Sequence, residues 1–288
     1  MSLPAIPALR SPSEFREVDE YVVPLSGFLA VRIYSDTKPH NLYLADLQKG
    51  LILVYKSVER IGEGAGFGLP VLQYSDGLYF SRSSKVYLSE SGGLSIIRKE
   101  FVMDVVQGKS VRSIGLENTI VRATLEHVEE LYRKHRRLRV LTLKRISGVM
   151  GLRTNFMETE PMGKVIVTYE IGQDAIKVKA DLSHIKRKEL KKVFMLNEQG
   201  SLNFTRYTDS FGMELVGRKI GAWENIDAED ASITDLHGRI GFHLHRLRGS
   251  TMRRGREYLK GRLDWIGLDY EIDPGSHAFE YGIDILGR

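Results

Sequence analysis

Cysteine is absent from the 288-residue chain. Disulfides, thiolate metal sites and a cysteine nucleophile are therefore excluded, and the composition fits a reducing compartment. No run of eighteen apolar residues occurs, so no membrane span is expected. The opening Met-Ser-Leu-Pro-Ala-Ile-Pro lacks a basic region followed by a long apolar stretch. No secretory signal is expected from it, and a cytoplasmic location is. There is no G-x-S-x-G elbow, no H-E-x-x-H pair and no EF-hand loop, so the common hydrolases and calcium proteins built on those motifs are not supported.

Charge of one sign is not concentrated either. The net charge is +5 and the isoelectric point about 9.2, but lysine, arginine and acidic residues are mixed along the chain. A nucleic-acid binder needs its arginines gathered in one stripe, and the linear sequence shows none. The basic Arg136-Arg137-Leu-Arg139 run reads first as a solvated helix end.

What is present is mostly strand signal. Short runs rich in β-branched and aromatic residues recur at 21–23, 28–34, 41–44, 51–58 and 71–74, and turn residues separate them. Ser75-Asp-Gly77 predicts a tight hairpin between 71–74 and 78–81. A second pair is expected at 85–88 and 94–97, joined through Glu90-Ser-Gly-Gly93. Helical spacing of Ile120, Thr124, Val128 and Leu131 predicts one amphipathic helix over 116–139. Strand signals return from residue 140, with a short helical turn expected within 183–192.

The expected fold is therefore mostly β: a large antiparallel β-sandwich with one central packed helix and a small N-terminal β subdomain. The corresponding divisions are residues 1–115, 116–139 and 140–288, with one continuous domain as the alternative.

The densest local signal is Arg60-Ile-Gly-Glu-Gly-Ala-Gly-Phe-Gly-Leu-Pro70, with four glycines spaced two apart. It fails as a phosphate loop because Leu69 and Pro70 follow the last glycine where Lys and Ser or Thr are needed. It fails as a dinucleotide fingerprint because its spacing is G-x-G-x-G-x-G. Two readings remain. The glycines permit close backbone approach or a bulge, or Gly64 and Gly66 let a ligand lie on the backbone with Glu63 reaching it.

In the hairpin that follows, Tyr79 and Arg82 offer an aromatic surface and a cation for a sugar ring or an acidic ligand. His243 and His245 alternate in Gly241-Phe-His-Leu-His-Arg246, so a strand places both on one face, opposite Phe242 and Leu244. They could transfer protons. They could also share a metal, with a further ligand from His237 or Glu257, but two ligands alone make no site, and the expectation is no metal and no cofactor. Arg256 and Glu257 form a cation–carboxylate neighbourhood, with Trp265 nearby. Asp209, Glu214, Trp223 and Glu224 are further carboxylate and aromatic candidates of the kind that cleave glycosidic bonds in pairs.

Residues 177–285 resemble the large antiparallel sandwich of galactose-mutarotase-like proteins. The likeness lies in the many strands, the polar–aromatic strand 242–246 and the strand 263–270 near the end. Members of that family bind or act on sugars, and mutarotases use a histidine as acid and a glutamate as base. The resemblance implies such parts for His243 or His245 with Glu257 or Glu63.

Three functions follow: a carbohydrate-active protein with acid–base chemistry, a non-catalytic ligand-binding or assembly protein, and a basic nucleic-acid binder. The residues fit a saccharide or acidic small-molecule ligand best. Homo-oligomerisation stays open, and no nucleic acid or membrane partner is expected. Whether the chain is an enzyme depends on whether Glu63, His243 or His245 meets another ionisable group.

Overall fold

The computed structural model describes residues 15–35, 47–61, 64–108, 156–259 and 263–287. In chain order the first strands are β1 (Arg16–Val18), β2 (Glu20–Pro24), β3 (Leu29–Tyr34), β4 (Ile52–Tyr55), β5 (Val58–Glu59), β6 (Gly66–Tyr74), β7 (Gly77–Ser91) and β8 (Leu94–Gly108). Then come β9 (Phe156–Glu158), β10 (Lys164–Ile171), β11 (Ala175–Asp181), β12 (Leu190–Gly200), β13 (Arg206–Asp209) and β14 (Glu214–Val216). The last are β15 (Glu224–Ile226), β16 (Asp230–Thr234), β17 (Ile240–His245), β18 (Ser250–Leu259), β19 (Leu263–Ile272) and β20 (Ala278–Gly287).

Strands β2 to β5 make a four-stranded sheet, and the others make a sixteen-stranded one. The main path of the large sheet runs β14-β13-β16-β17-β20-β11-β10-β8-β7-β6-β12-β19-β18-β15. Alternation explains the central strands. In β11, Ile176, Val178 and Ala180 are buried while Lys177 and Lys179 are exposed. In β20, Phe279, Tyr281, Ile283 and Ile285 point inward between exposed or half-buried neighbours. That period of two suits a strand with one face in a core and one in water.

The large sheet folds over on itself. Phe67 of β6 meets Phe242 of β17 edge-on at 5.1 Å between ring centroids, although these strands lie far apart in the hydrogen-bonded order. Tyr270 of β19 packs on Tyr281 of β20 at 5.0 Å. The two halves of one sheet thus become the two layers of a sandwich. The small sheet shares that core, because Val23, Val31, Ile33 and Leu53 belong to the same buried cluster as Phe67, Tyr169 and Ile283. The long β7–β8 hairpin carries register shifts between Phe80 and Ser83, and such bulges bend a strand and increase its twist.

Several expectations change. The helix expected over 116–139 lies outside the described residues, as do the strand signal at 41–44 and the first of those that return from residue 140. Among the described residues the only helical element is a 3-10 turn, Gly217–Ile220. The expected sandwich with a packed central helix therefore gives way to a mostly β sandwich of two sheets. The physical reason is direct pairing: β8 bonds to β10 from Ser95 to Val102, so among the described residues the sheet continues from strand to strand. The helical turn expected in 183–192 is a turn leading into β12, with Glu189 in the left-handed region at φ 66°. The run 51–58 is two strands rather than one, because Lys56 and Ser57 both adopt positive φ, 50° and 63°, in a tight hairpin turn.

One ion-paired carboxylate links two neighbouring strands of the large sheet, β8 and β10. Glu100 of β8 accepts from Lys164 Nζ at 2.7 Å and from Arg98 Nη2 at 2.6 Å. Burial alone would raise its pKa, but the Lys164 bond and the Arg98 charge outweigh that and hold it below the ordinary value. The stability it contributes is present above the unfolded carboxylate range and is lost as pH falls through the depressed folded value. We expect Glu100→Gln to cost about 1–2 kcal/mol at neutral pH. Chemical denaturation of both proteins should show this gap closing below about pH 4.

Candidate functional site

The glycine-rich stretch lies inside the molecule. A Cβ on Gly64 would stand 2.7 Å from the carbonyl oxygen of Glu198, and one on Gly66 2.9 Å from that of Leu51. Gly66 and Gly68 have φ of 77° and 74°, a region that only glycine enters freely. Reciprocal backbone bonds of 2.8 Å join Leu51 and Phe67. Glu198 Oε2 accepts from the Ala65 backbone N–H at 3.0 Å, and Asn197 Oδ1 from that of Gly68 at 3.1 Å. Close approach of three backbone segments thus accounts for the glycines. Glu63 lies outside the described residues.

Phe67, carried by this stretch, settles the orientation of the histidine strand. It packs on Phe242, and Phe242 and Leu244 are fully buried. Strand parity then turns His243 and His245 to the opposite, outer face. The glycine stretch and the histidines sit on opposite sides of β17 and do not meet.

The histidines have other company. In the β16–β17 ladder Asp230 stands directly opposite His245, and Ser232 opposite His243. In the β17–β20 ladder His243 stands opposite Asp284. Ser232 Oγ and His243 Nδ1 are 2.8 Å apart in a hydrogen bond. His245 Nε2 lies 3.4 Å from Asp284 Oδ2. The two imidazoles touch edge-to-face at 4.5 Å. One ligand atom from each of Asp230, His243 and His245 lies within 4.8 Å of the other two. Beside them the exposed Gly282 has nothing within 4 Å of where a Cβ would stand, so the face is open there.

Burial lowers the His243 pKa, and the neighbouring His245 lowers it further against the opposing pull of Asp230 and Asp284. At neutral pH His243 is therefore held as the neutral imidazole. If its Nδ1–H donates to Ser232, Nε2 carries a free lone pair. The cluster offers imidazole nitrogens and carboxylate oxygens converging on one patch. Such a patch can accept hydrogen bonds from hydroxyl groups, move a proton, or coordinate a cation.

The remaining expected residues are dispersed. Tyr79 is buried, donates to Asp76 Oδ2 at 2.7 Å, and is pushed up to about 12 by burial first and that bond second. Arg82 pairs with Glu158, and its backbone N–H donates to Asp104 at 3.1 Å. Arg256 reaches Ser201 Oγ at 3.4 Å. Glu257 stands opposite Trp265 in the β18–β19 ladder, away from β17, and its side chain lies outside the described part. Trp265 is buried. His237 sits in the turn at the far end of the β16–β17 hairpin from Asp230 and His245. Asp209 accepts from Tyr207 Oη at 2.7 Å, and Glu224 pairs with Arg254, so both of these carboxylates have structural partners. Arg254 is itself buried, donates to the Ile220 carbonyl at 2.9 Å and stacks on Tyr207 at 4.8 Å.

Asp230, Ser232 and Asp284 are the residues that sequence reasoning missed. Their own strands alternate clearly, as in Asp230-Ala-Ser232-Ile, but nothing local says which strand lies beside which.

No family model matches the chain, and no curated protein matches it. Among solved structures it is similar to a protein from Synechocystis sp. PCC 6803, at 7% identity and a TM-score of 0.42, over 100% of both chains. It is also similar to a galactose mutarotase-like protein from Clostridium acetobutylicum, at 8% identity and a TM-score of 0.37, over 95% of this chain and 98% of that one. A galactose mutarotase-like protein from Lactobacillus casei gives 9% identity and 0.38, over 93% and 99%. The likeness to galactose mutarotase-like folds is thus weak and spans nearly the whole chain.

The glycine geometry is testable. Gly66→Ala should cost at least about 2 kcal/mol, from left-handed strain plus the clash with Leu51. Gly282→Ala, facing open space, should be neutral or slightly stabilising. Equal, small effects of both in thermal melts would show that the stretch is not packed as described.

Proposed function

We propose that this protein is a carbohydrate-directed one, and that the outer face of β16, β17 and β20 handles the sugar. The observation that supports this reading is the convergence of His243, His245, Asp230 and Asp284 on one accessible patch. Sugar hydroxyls need acceptors, and two carboxylates and a neutral imidazole supply them. Proton movement on a sugar needs a base free at neutral pH, and His243 is held in that form. Exposed Lys177 and Glu280, paired at 2.9 Å, continue the polar surface across β11 and β20. In this reading His243 takes the proton, Ser232 orients its ring, and His245 with Asp284 is the complementary donor.

One observation favours a second reading, non-catalytic ligand binding. The His245 side chain is 59% exposed, so water is not excluded from the patch, and electrostatic catalysis is weaker in a wet site.

A panel of aldoses and uronic-acid polymers, assayed with chelator present, separates the two. If the acid–base reading holds, His243→Ala lowers turnover by about 10²–10⁴ and leaves the thermal melt nearly unchanged. Binding without turnover by the pure protein supports the second reading. Neither binding nor turnover across the panel removes the carbohydrate proposal.

A further inference from the structure

We infer that Asp230, His243 and His245 form a binding site for a divalent transition-metal ion of the zinc or nickel kind. Two imidazoles and one carboxylate have ligand atoms within 4.8 Å of one another. Their backbones are already placed. His243 and His245 are two apart on one strand face, and Asp230 is the direct cross-strand partner of His245. Ladders with β13 on one side and β20 on the other hold both strands, so little ordering entropy remains to oppose binding.

The surroundings resemble those of ligands rather than of ordinary surface histidines. Metal-binding imidazoles usually have their other ring nitrogen held by an outer partner, which sets ring orientation and tautomer. His243 has Ser232 Oγ at 2.8 Å on Nδ1, which frees Nε2. His245 has Asp284 Oδ2 at 3.4 Å from Nε2, which leaves Nδ1.

The donor set selects the ion. Calcium and magnesium take oxygen ligands, whereas imidazole suits zinc, nickel and copper. Metal–ligand bonds of about 2.0–2.2 Å require the three donor atoms to draw together. His245 is exposed enough to turn without disturbing the core. Three protein ligands leave a coordination position open to water or to a hydroxyl of a ligand.

The inference uses the same side chains as the carbohydrate reading but does not rest on it. A metal ion and a free imidazole base are alternatives at His243. The ion is therefore titrated alone, into sugar-free protein, and either idea can fail without the other.

The test is calorimetric titration of zinc chloride into the full chain, tag-free and stripped with chelator. One ion per chain is expected. His243→Ala, His245→Ala and Asp230→Asn should each weaken binding at least about tenfold, and Asp284→Asn about tenfold as an outer partner. His184→Ala and His237→Ala, outside the cluster, should change nothing. Circular dichroism shows that each variant remains folded, and cobalt absorption bands that vanish in His243→Ala provide a second readout. Absence of saturable binding by folded protein overturns the inference. So does affinity that persists when both His243 and His245 are replaced.

Discussion

The structure depends on how closely three backbone segments approach at the glycine-rich seam. A Cβ on Gly50 would stand 2.0 Å from the Phe67 carbonyl oxygen, so no other residue fits without moving the chain. That contact joins the segment leading into β4 to the start of β6. The buried Lys49 Nζ donates to the Gly64 carbonyl at 2.5 Å and ties the same seam from the side. Once the seam is closed, Phe67 has one place to go, against Phe242. The opposite face of β17 is then the one that carries histidines to solvent. A packing constraint on one side of a strand therefore creates the chemical surface on the other.

Polar groups inside the sandwich follow the same economy. Tyr281 Oη donates to Asn197 Oδ1 at 2.8 Å, and Asp269 accepts from the Asn197 backbone N–H at 2.8 Å. Tyr169 Oη donates to the Phe67 carbonyl at 3.0 Å. Buried polar atoms are costly unless bonded, and these bonds tie β12 to β19 and β20, and β6 to β10. Interior carboxylates and tyrosines of this kind serve the fold. Among the described residues, the outer face of β16, β17 and β20 gathers two histidines and two aspartates on one patch.

Much of the fold was legible in the sequence. The Ser75-Asp-Gly77 hairpin and the Glu90-Ser-Gly-Gly93 turn stand where their residues place them, because turn chemistry is local. Lys177 and Lys179 point outward as alternation requires. The pairing of His243 with His245 on one face was also legible, since it needs only a period of two. The partners Asp230 and Asp284 were not. They come from strands 13 and 41 residues away from His243 in the chain, brought alongside by register.

The glycine-rich stretch shows the same division. Its residues alone required an unusual backbone, and they excluded a phosphate loop and a dinucleotide fingerprint, since those depend on local spacing. They could not say whether the open backbone faces a ligand or another strand, because glycine permits both equally. Composition, strand rhythm and the shared face of two histidines followed from the sequence by itself, through turn chemistry and side-chain alternation. Only the tertiary structure decided that the glycines meet Glu198 and Leu51, and that the histidines meet two aspartates. Sheet register is a long-range agreement between strands, and no single strand contains it.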